Sequence, residues 1–353
     1  MNPRRSSVED QLEELVATGV PGVAVVAARP DGSVEAAAGV ADVETREALT
    51  PAHRFRIGSV TKLFVAPLVL QLVADGLLEL DGHAGSVAEG ITIRQLLNHT
   101  SGLPDAPHDH VEFFEPYRRD PTHRFELGHR EQLARVMELP RLFAPGEGWS
   151  YHGSNYLALG LIVEEVTGAT LRDALRQRII GPLGLHRTDL VEGPLRGECA
   201  RGYLPGDNPI LPGDGAPVDV TELDLASFTW AGGGVVSTPG EVARLLRALL
   251  SGDLIPDHLR KEMLDAVDSD WVETDRYGLG IGEITAVWRR ERSPCGPAWG
   301  HLGFSLGYTA IALSSEDGER QVVLCANGVF TTEASEEAFF DAVGRLMWHL
   351  YCM

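Results

Sequence analysis

Ser59-Val60-Thr61-Lys62 sets a hydroxyl three residues before an amine, a spacing that puts both on one face of a helix. At the start of a helix, first-turn N–H groups and the positive end of the dipole lie close by and can hold a developing oxyanion. An amine drawn into an apolar interior loses proton affinity and can then take the hydroxyl proton, which turns the serine into a nucleophile toward carbonyl carbon. A bland alternative is a capping serine followed by a solvated lysine. The flanks oppose it: Leu63, Phe64, Val65, Leu68, Val69 and Leu70 make the segment apolar nearly all round, so the helix and its lysine belong in the interior. Lys62 and Lys261 are the only lysines in the chain.

Gly303-Phe304-Ser305-Leu306-Gly307 is a rival, matching the G-x-S-x-G pattern of a nucleophile elbow. An elbow needs a strand, a sharp turn and then a helix, whereas the residues after Gly307 continue with strand-like alternation. His349, the only histidine downstream, lies in the last helical stretch with no evident acidic partner. Tyr151, in Trp149-Ser-Tyr-His-Gly-Ser-Asn-Tyr156, and His301, in Trp299-Gly-His-Leu-Gly303, have side chains able to move protons beside a serine. Taken singly, each is an ordinary packed aromatic or core histidine. His108, Asp109, His110, His123 and His129 lack regular metal-ligand spacing and read as a solvated loop, so no metal or other cofactor is expected. Phe113, Phe114 and Tyr117 in that stretch are candidates to roof a pocket.

Positioning these groups requires a scaffold. Residues 7–18 have a helical pattern, followed by a hairpin of Val23–Ala28, the turn Arg29-Pro-Asp-Gly32, and Val34–Val40. A long apolar helix runs from Ser59 to about Asp75-Gly76, and further helices cover about 155–166 and 171–180. After Gly232-Gly-Gly234, Ser237 or Thr238 caps a helix that starts at Pro239 and runs to Leu250. Strand patterning returns from about Tyr277, with runs at 308–313 and 321–325, and a last helix spans about 332–350. The expected fold is α+β: an antiparallel sheet built from both ends of the chain (about 7–58 and 275–353), flanked by helices, with an inserted mainly helical lobe at about 59–274.

The 353 residues carry 51 acidic and 30 basic side chains, a net charge of −21, which argues against nucleic acid or an anionic membrane as partner. Hydrophobic residues make up 44%, enough for a large core and against disorder. Cys199, Cys295, Cys325 and Cys352 are scattered and do not themselves suggest a disulfide framework. Arg4-Arg5 is followed by polar residues rather than an apolar export segment, and Leu63–Leu80 is broken by Pro67, Gln71 and Asp75. A soluble, cytoplasmic protein is the expectation, although trimming of a leader would leave the same pattern.

As an ordered set, several segments resemble the serine β-lactamase and penicillin-binding-protein superfamily, in its branch of class C β-lactamases, D-alanyl-D-alanine carboxypeptidases and related esterases. They are Phe55–Lys62, Ile93–Pro104, Phe143–Tyr151, Gly181–Leu185, Ala231–Pro239 and Gly300–Gly303. The resemblance covers about residues 8 to 350. It implies a β-lactamase-like fold and a serine hydrolase with a covalent acyl-enzyme at Ser59. Lys62 would be its base, Tyr151 the tyrosine of the Tyr-x-Asn motif, and His301-Leu302-Gly303 the Lys/His-Thr-Gly strand. The N–H groups of Ser59 and Phe304 would form the oxyanion hole, with Gly303 leaving room for substrate.

Two positions depart from the family pattern. Gly153 stands where Tyr-x-Asn has its asparagine, with Ser154 or Asn155 as possible substitutes, and Leu302 replaces the usual hydroxyl residue. Both changes remove recognition groups for lactams and D-Ala-D-Ala peptides and favour ester cleavage or acyl transfer, as in a cytosolic biosynthetic esterase. The implied partner is a small-molecule or peptide acyl substrate: a D-amino-acid peptide, lactam, ester or thioester. A silent, penicillin-binding-like sensor is the reading from another class, and Ser59, Lys62 and Tyr151 together oppose it.

Overall fold

The computed structural model describes residues 7–105, 114–120, 122–124, 126–208, 210–211, 213–224, 226–270, 274–287, 292–329 and 333–353. Its frame is an antiparallel sheet. In chain order the strands are β1 (Gly22–Arg29), β2 (Gly32–Gly39), β3 (Val267–Asp268), β4 (Arg276–Tyr277), β5 (Gly282–Ile284), β6 (Ala298–Ser305), β7 (Tyr308–Ser314) and β8 (Gln321–Ala326). Their order across the sheet is β3-β4-β5-β6-β7-β8-β1-β2. Val23 of β1 lies opposite Ala326 of β8, so the two ends of the chain meet within one sheet, as expected from the sequence.

Strand side chains alternate between two faces, and here both faces are covered. Val23, Val25, Ile311, Leu313, Val322 and Leu324 point to one side, under helices α1 (Val8–Ala17) and α5 (Glu333–Cys352). Ala24, Val26, Ala310, Ala312, Val323 and Cys325 point to the other, where small side chains let helix α4 (Pro239–Leu250) approach. Thr238 caps α4 through the Glu241 N–H, and Pro239 occupies its first turn.

On that second face the core continues without a break into α2 (Lys62–Ala74) and α3 (Ser154–Thr167). Helix α2 is buried along nearly its whole length, and a 3₁₀ turn, Gly58–Thr61, leads into it. A small three-stranded sheet fixes that turn. Phe55–Arg56 pairs with Val235–Ser237, which also pairs with Asp189–Leu190. The Ile57 N–H donates to Val235 O (3.2 Å) and the Val235 N–H to Thr61 Oγ1 (3.0 Å). Residues 171–180 are helical as expected, but Arg176–Ile180 widens into a π turn. Among the described residues no helix is long and apolar enough to cross a membrane.

One expectation is corrected. Cys295 and Cys352 form a disulfide between the last turn of α5 and the loop before β6, with Cα atoms 5.8 Å apart. The two are 57 residues apart in the chain, and only the packing of α5 across the sheet brings them together. Beside the bond, Tyr351 Oη donates to Pro297 O (3.1 Å). Such a bond persists in an oxidising compartment and is reduced in most cytosols.

Thiol titration of the unreduced, denatured protein should detect two thiols, those of Cys199 and Cys325, rather than four. Cys352→Ser should lower stability by about 2–4 kcal/mol in denaturant titrations; four titratable thiols would disprove the pairing.

Candidate active site

The site is built where β6 crosses the start of α2, and two glycines permit the crossing. A Cβ on Gly303 would lie 2.0 Å from Ile57 O, and one on Gly58 would lie 2.4 Å from Phe304 O. Gly58 also has φ +50°, a left-handed conformation that suits glycine. Backbone thus packs on backbone, and Phe304 comes to rest beside Ser59.

Lys62 is 2% exposed. Its Nζ lies 3.2 Å from Ser59 Oγ and donates to Gly232 O at 2.9 Å. It also sits 4.8 Å from the Tyr151 ring centre and 5.2 Å from that of Tyr156. The carbonyl that holds Lys62 follows a sharp break in the helix Ala226–Gly233, where Trp230 has φ +30°. That strained conformation is held in place by burial of the indole and its stacking on His129 (3.8 Å between ring centres).

Tyr151 lines the cleft, and His301 lies behind it, fully buried. His301 Nδ1 is hydrogen-bonded to Leu302 O, which leaves Nε2 as the acceptor for Tyr277 Oη at 2.9 Å and, more distantly, Tyr151 Oη at 3.4 Å. Burial, reinforced by the charge on Lys62, lowers the His301 pKa to about 3, so the ring is neutral at physiological pH. It can orient the tyrosines but brings no positive charge to them.

His99, which has φ +64°, is also fully buried. Its Nδ1 accepts from the His152 N–H (3.3 Å) and Asn155 Nδ2 (3.1 Å), and its ring lies 4.4 Å from that of Tyr151. Burial first, then the charge on Lys62, holds its pKa well below the ordinary value. His99 therefore fixes the Tyr151 segment from beneath.

The cleft holds about 190 Å³ and is lined by Ser59, Lys62, Tyr151 and Gly153, by the glycines at 58, 232 and 233, and by Asp105, Ser154, Leu157, Thr229, Phe304 and Ser305. The structure thus brings Ser59, Lys62, Tyr151, Gly153 and the Phe304 backbone together, with His301 and Gly303 directly behind.

It does not bring Leu302 or Asn155 to the cleft, which corrects their expected part in substrate binding. Strand alternation turns Leu302 into the core with Ile311 and Phe339. The Phe304 ring leans the same way, 6.0 Å from Phe340, leaving its backbone at the site. Asn155 is buried, bonded to His99, Ser101 and His152 O, and Ser154 Oγ donates to Pro104 O (2.7 Å). Neither takes the place of the missing motif asparagine.

The elbow reading is excluded, because Ser305 ends β6 and a hairpin at Gly307 leads into β7 rather than a helix. His108, Asp109, His110 and Phe113 lie outside the described residues. His123 packs edge-on against Tyr117, and Tyr117 belongs to a separate small core with Leu204 and Val220, not to a roof over the cleft. Among the described residues no group of three or more possible metal ligands comes together.

Sequence reasoning missed Tyr277, His99 and Asp105. His99 and Asp105 sit within or just after a segment already singled out, Ile93–Pro104, and so were within reach. Tyr277 gave no local signal; its role comes from its place on β4, two strands from β6.

A β-lactamase family model matches residues 8–344. The chain belongs to the β-lactamase family. Members of this family act as serine hydrolases, and the homologues found here bear names of that kind. Penicillin-binding protein 4 of Amycolatopsis lactamdurans is 30% identical over 354 residues, covering 93% of this chain and 86% of the relative. Esterase EstB of Burkholderia gladioli is 32% identical over 324 residues, covering 80% and 79%. Among solved structures, the D-amino acid amidase of Ochrobactrum anthropi SV3, complexed with L-phenylalanine, superimposes with a TM-score of 0.82 at 27% identity, covering 97% of this chain and 96% of that one. The esterase and the amidase are named for different bonds.

The two buried histidines contribute to the acid sensitivity of this β-lactamase-family fold. Once unfolded they take up protons below their ordinary pKa of 6.5, whereas the folded protein refuses them. The stability they leave intact above pH 6.5 is therefore lost as pH falls below it, in the case of His301 down to about 3. The melting temperature should drop steadily from neutral pH into the acid range, and His301→Gln should make that drop shallower. An unchanged slope would contradict the neutral, buried assignment. Gly303→Ala should abolish turnover, because a methyl group at that point meets backbone rather than a movable side chain.

Proposed function

We propose that the chain hydrolyses a small ester or amide through an acyl-enzyme at Ser59. The observation that carries this reading is the contact of Lys62 Nζ with Ser59 Oγ at 3.2 Å inside a buried, lined cleft. In the amine form, Gly232 O retains one N–H of Nζ, and the nitrogen lone pair accepts the serine proton. Ser59 Oγ bonds to the carbonyl carbon, and the carbonyl oxygen gains negative charge. The N–H groups of Ser59 and Phe304 would stabilise it, and the close backbone packing at Gly58 and Gly303 supports that reading.

Collapse of that intermediate breaks the bond to the leaving alcohol or amine. Tyr151 delivers the proton it needs, drawing in turn on Lys62, beside which its ring lies. Water then attacks the acyl-serine carbonyl, gives its proton back through the same groups and restores Ser59. His301 and Tyr277 hold Tyr151 in register without changing charge. Names among the relatives, an esterase and a D-amino acid amidase, support small acyl substrates of this kind.

A fluorophosphonate probe should add mass at Ser59, and Ser59→Ala should abolish both labelling and ester turnover, a loss of at least about 10³-fold, while keeping the fold intact by circular dichroism. Ser305→Ala should be labelled like the parent. Labelling that survives Ser59→Ala but not Ser305→Ala would reverse the assignment.

A further inference from the structure

Asp105 and Lys62 are the only formally charged side chains among the described residues lining the cleft. Lys62 contacts Ser59 and Gly232, and Asp105 is the second charge on the cleft wall. Its carboxylate is held firmly. Oδ1 accepts the Ser154 N–H at 3.2 Å, at the positive end of the 14-residue helix α3, and Oδ2 lies 3.6 Å from His152 Nδ1. The side chain is about one-fifth exposed, so charge on it is only partly screened.

The carboxylate faces the cleft across Gly153. A Cβ placed on that glycine would find Asp105 Oδ1 at 3.6 Å as its one close non-neighbouring contact among the described residues. A larger residue there would stand between the carboxylate and the bound acyl group. Gly153 O in turn lies 3.7 Å from the point where a Cβ on Gly232 would sit, and that same point is 3.7 Å from Lys62 Nζ. Asp105 and Ser59 thus line the same cleft of about 190 Å³. A substrate carboxylate would meet repulsion here and a substrate ammonium attraction.

We propose that Asp105, exposed to the cleft by Gly153, selects acyl groups that carry a protonated amine. This rests on the hydrolase reading above and adds the chemical class of its substrate: esters or amides of amino acids with a free amino group, in preference to uncharged or anionic acyl groups. Asp105 also ties down the start of α3, and a purely structural role must be told apart from recognition. Asp105→Asn serves that purpose, since a carboxamide oxygen still accepts the Ser154 N–H while the charge is gone.

The test compares methyl esters of D-alanine and L-alanine with methyl propanoate, following proton release, since these substrates differ only in the amine. The parent should favour at least one alanine ester over the propanoate by about tenfold or more in kcat/KM. Asp105→Asn should reduce that preference by about 10- to 100-fold, the worth of one hydrogen bond to a charged group, and mainly through KM. Gly153→Asn should also reduce it, by covering the carboxylate. Equal turnover of amino and des-amino esters by the parent, or an Asp105→Asn variant that keeps the preference, would overturn the proposal. Hydrolysis of none of the three by protein that the fluorophosphonate labels at Ser59 would overturn it while leaving the hydrolase reading in place. Failure to label as well would remove both.

Discussion

A single buried amine organises this molecule. Lys62 Nζ is held between the Ser59 hydroxyl and Gly232 O, with aromatic rings on its flank and almost no solvent contact. Taking an ammonium-bearing side chain out of water is costly unless its surroundings replace the lost hydration. Much of the local architecture can be understood as doing so. The break at Trp230 presents the carbonyl of Gly232, the three-stranded sheet ties that segment to the 3₁₀ turn, and the apolar helix α2 encloses the rest.

The two buried histidines around that amine are neutral. His99 and His301 sit close enough to Lys62 to feel its field, and both are kept uncharged by burial and by that field. Their contribution is geometric: each fixes one side of Tyr151, from beneath through the His99 ring and from behind through His301 Nε2. Tyr277 extends the arrangement to β4, so a strand near the sheet's edge helps to set the orientation of a cleft residue.

What could be read from the sequence was whatever depends on local periodicity and near-neighbour spacing. Ser59 and Lys62 share a helical face, the all-round apolarity of Leu63–Leu70 announces burial, and the hairpin at Arg29–Gly32 is marked by its turn residues. What escaped depends on long-range register. Whether Leu302 faces the cleft is decided by strand alternation against Ile311, the Cys295–Cys352 bond by how α5 crosses the sheet, and the place of Tyr277 by pairing across β5. Asn155 was read as a recognition group because it follows Tyr151 closely in the chain. One helical turn was enough to aim it at His99 instead.

The approach of β6 to the Gly58–Thr61 turn also divides the cleft into parts that can and cannot vary. At Gly58 and Gly303 each backbone occupies the space a side chain on the other would need, so that wall is frozen in both shape and chemistry. Opposite it, Asp105, Gly153, Leu157 and Thr229 present side chains, or in one case open space, to the cavity. Diversification of this scaffold, in nature or in a library, has its freedom on that second wall. On the proposed function, reactivity and selectivity fall to different halves of one small chamber.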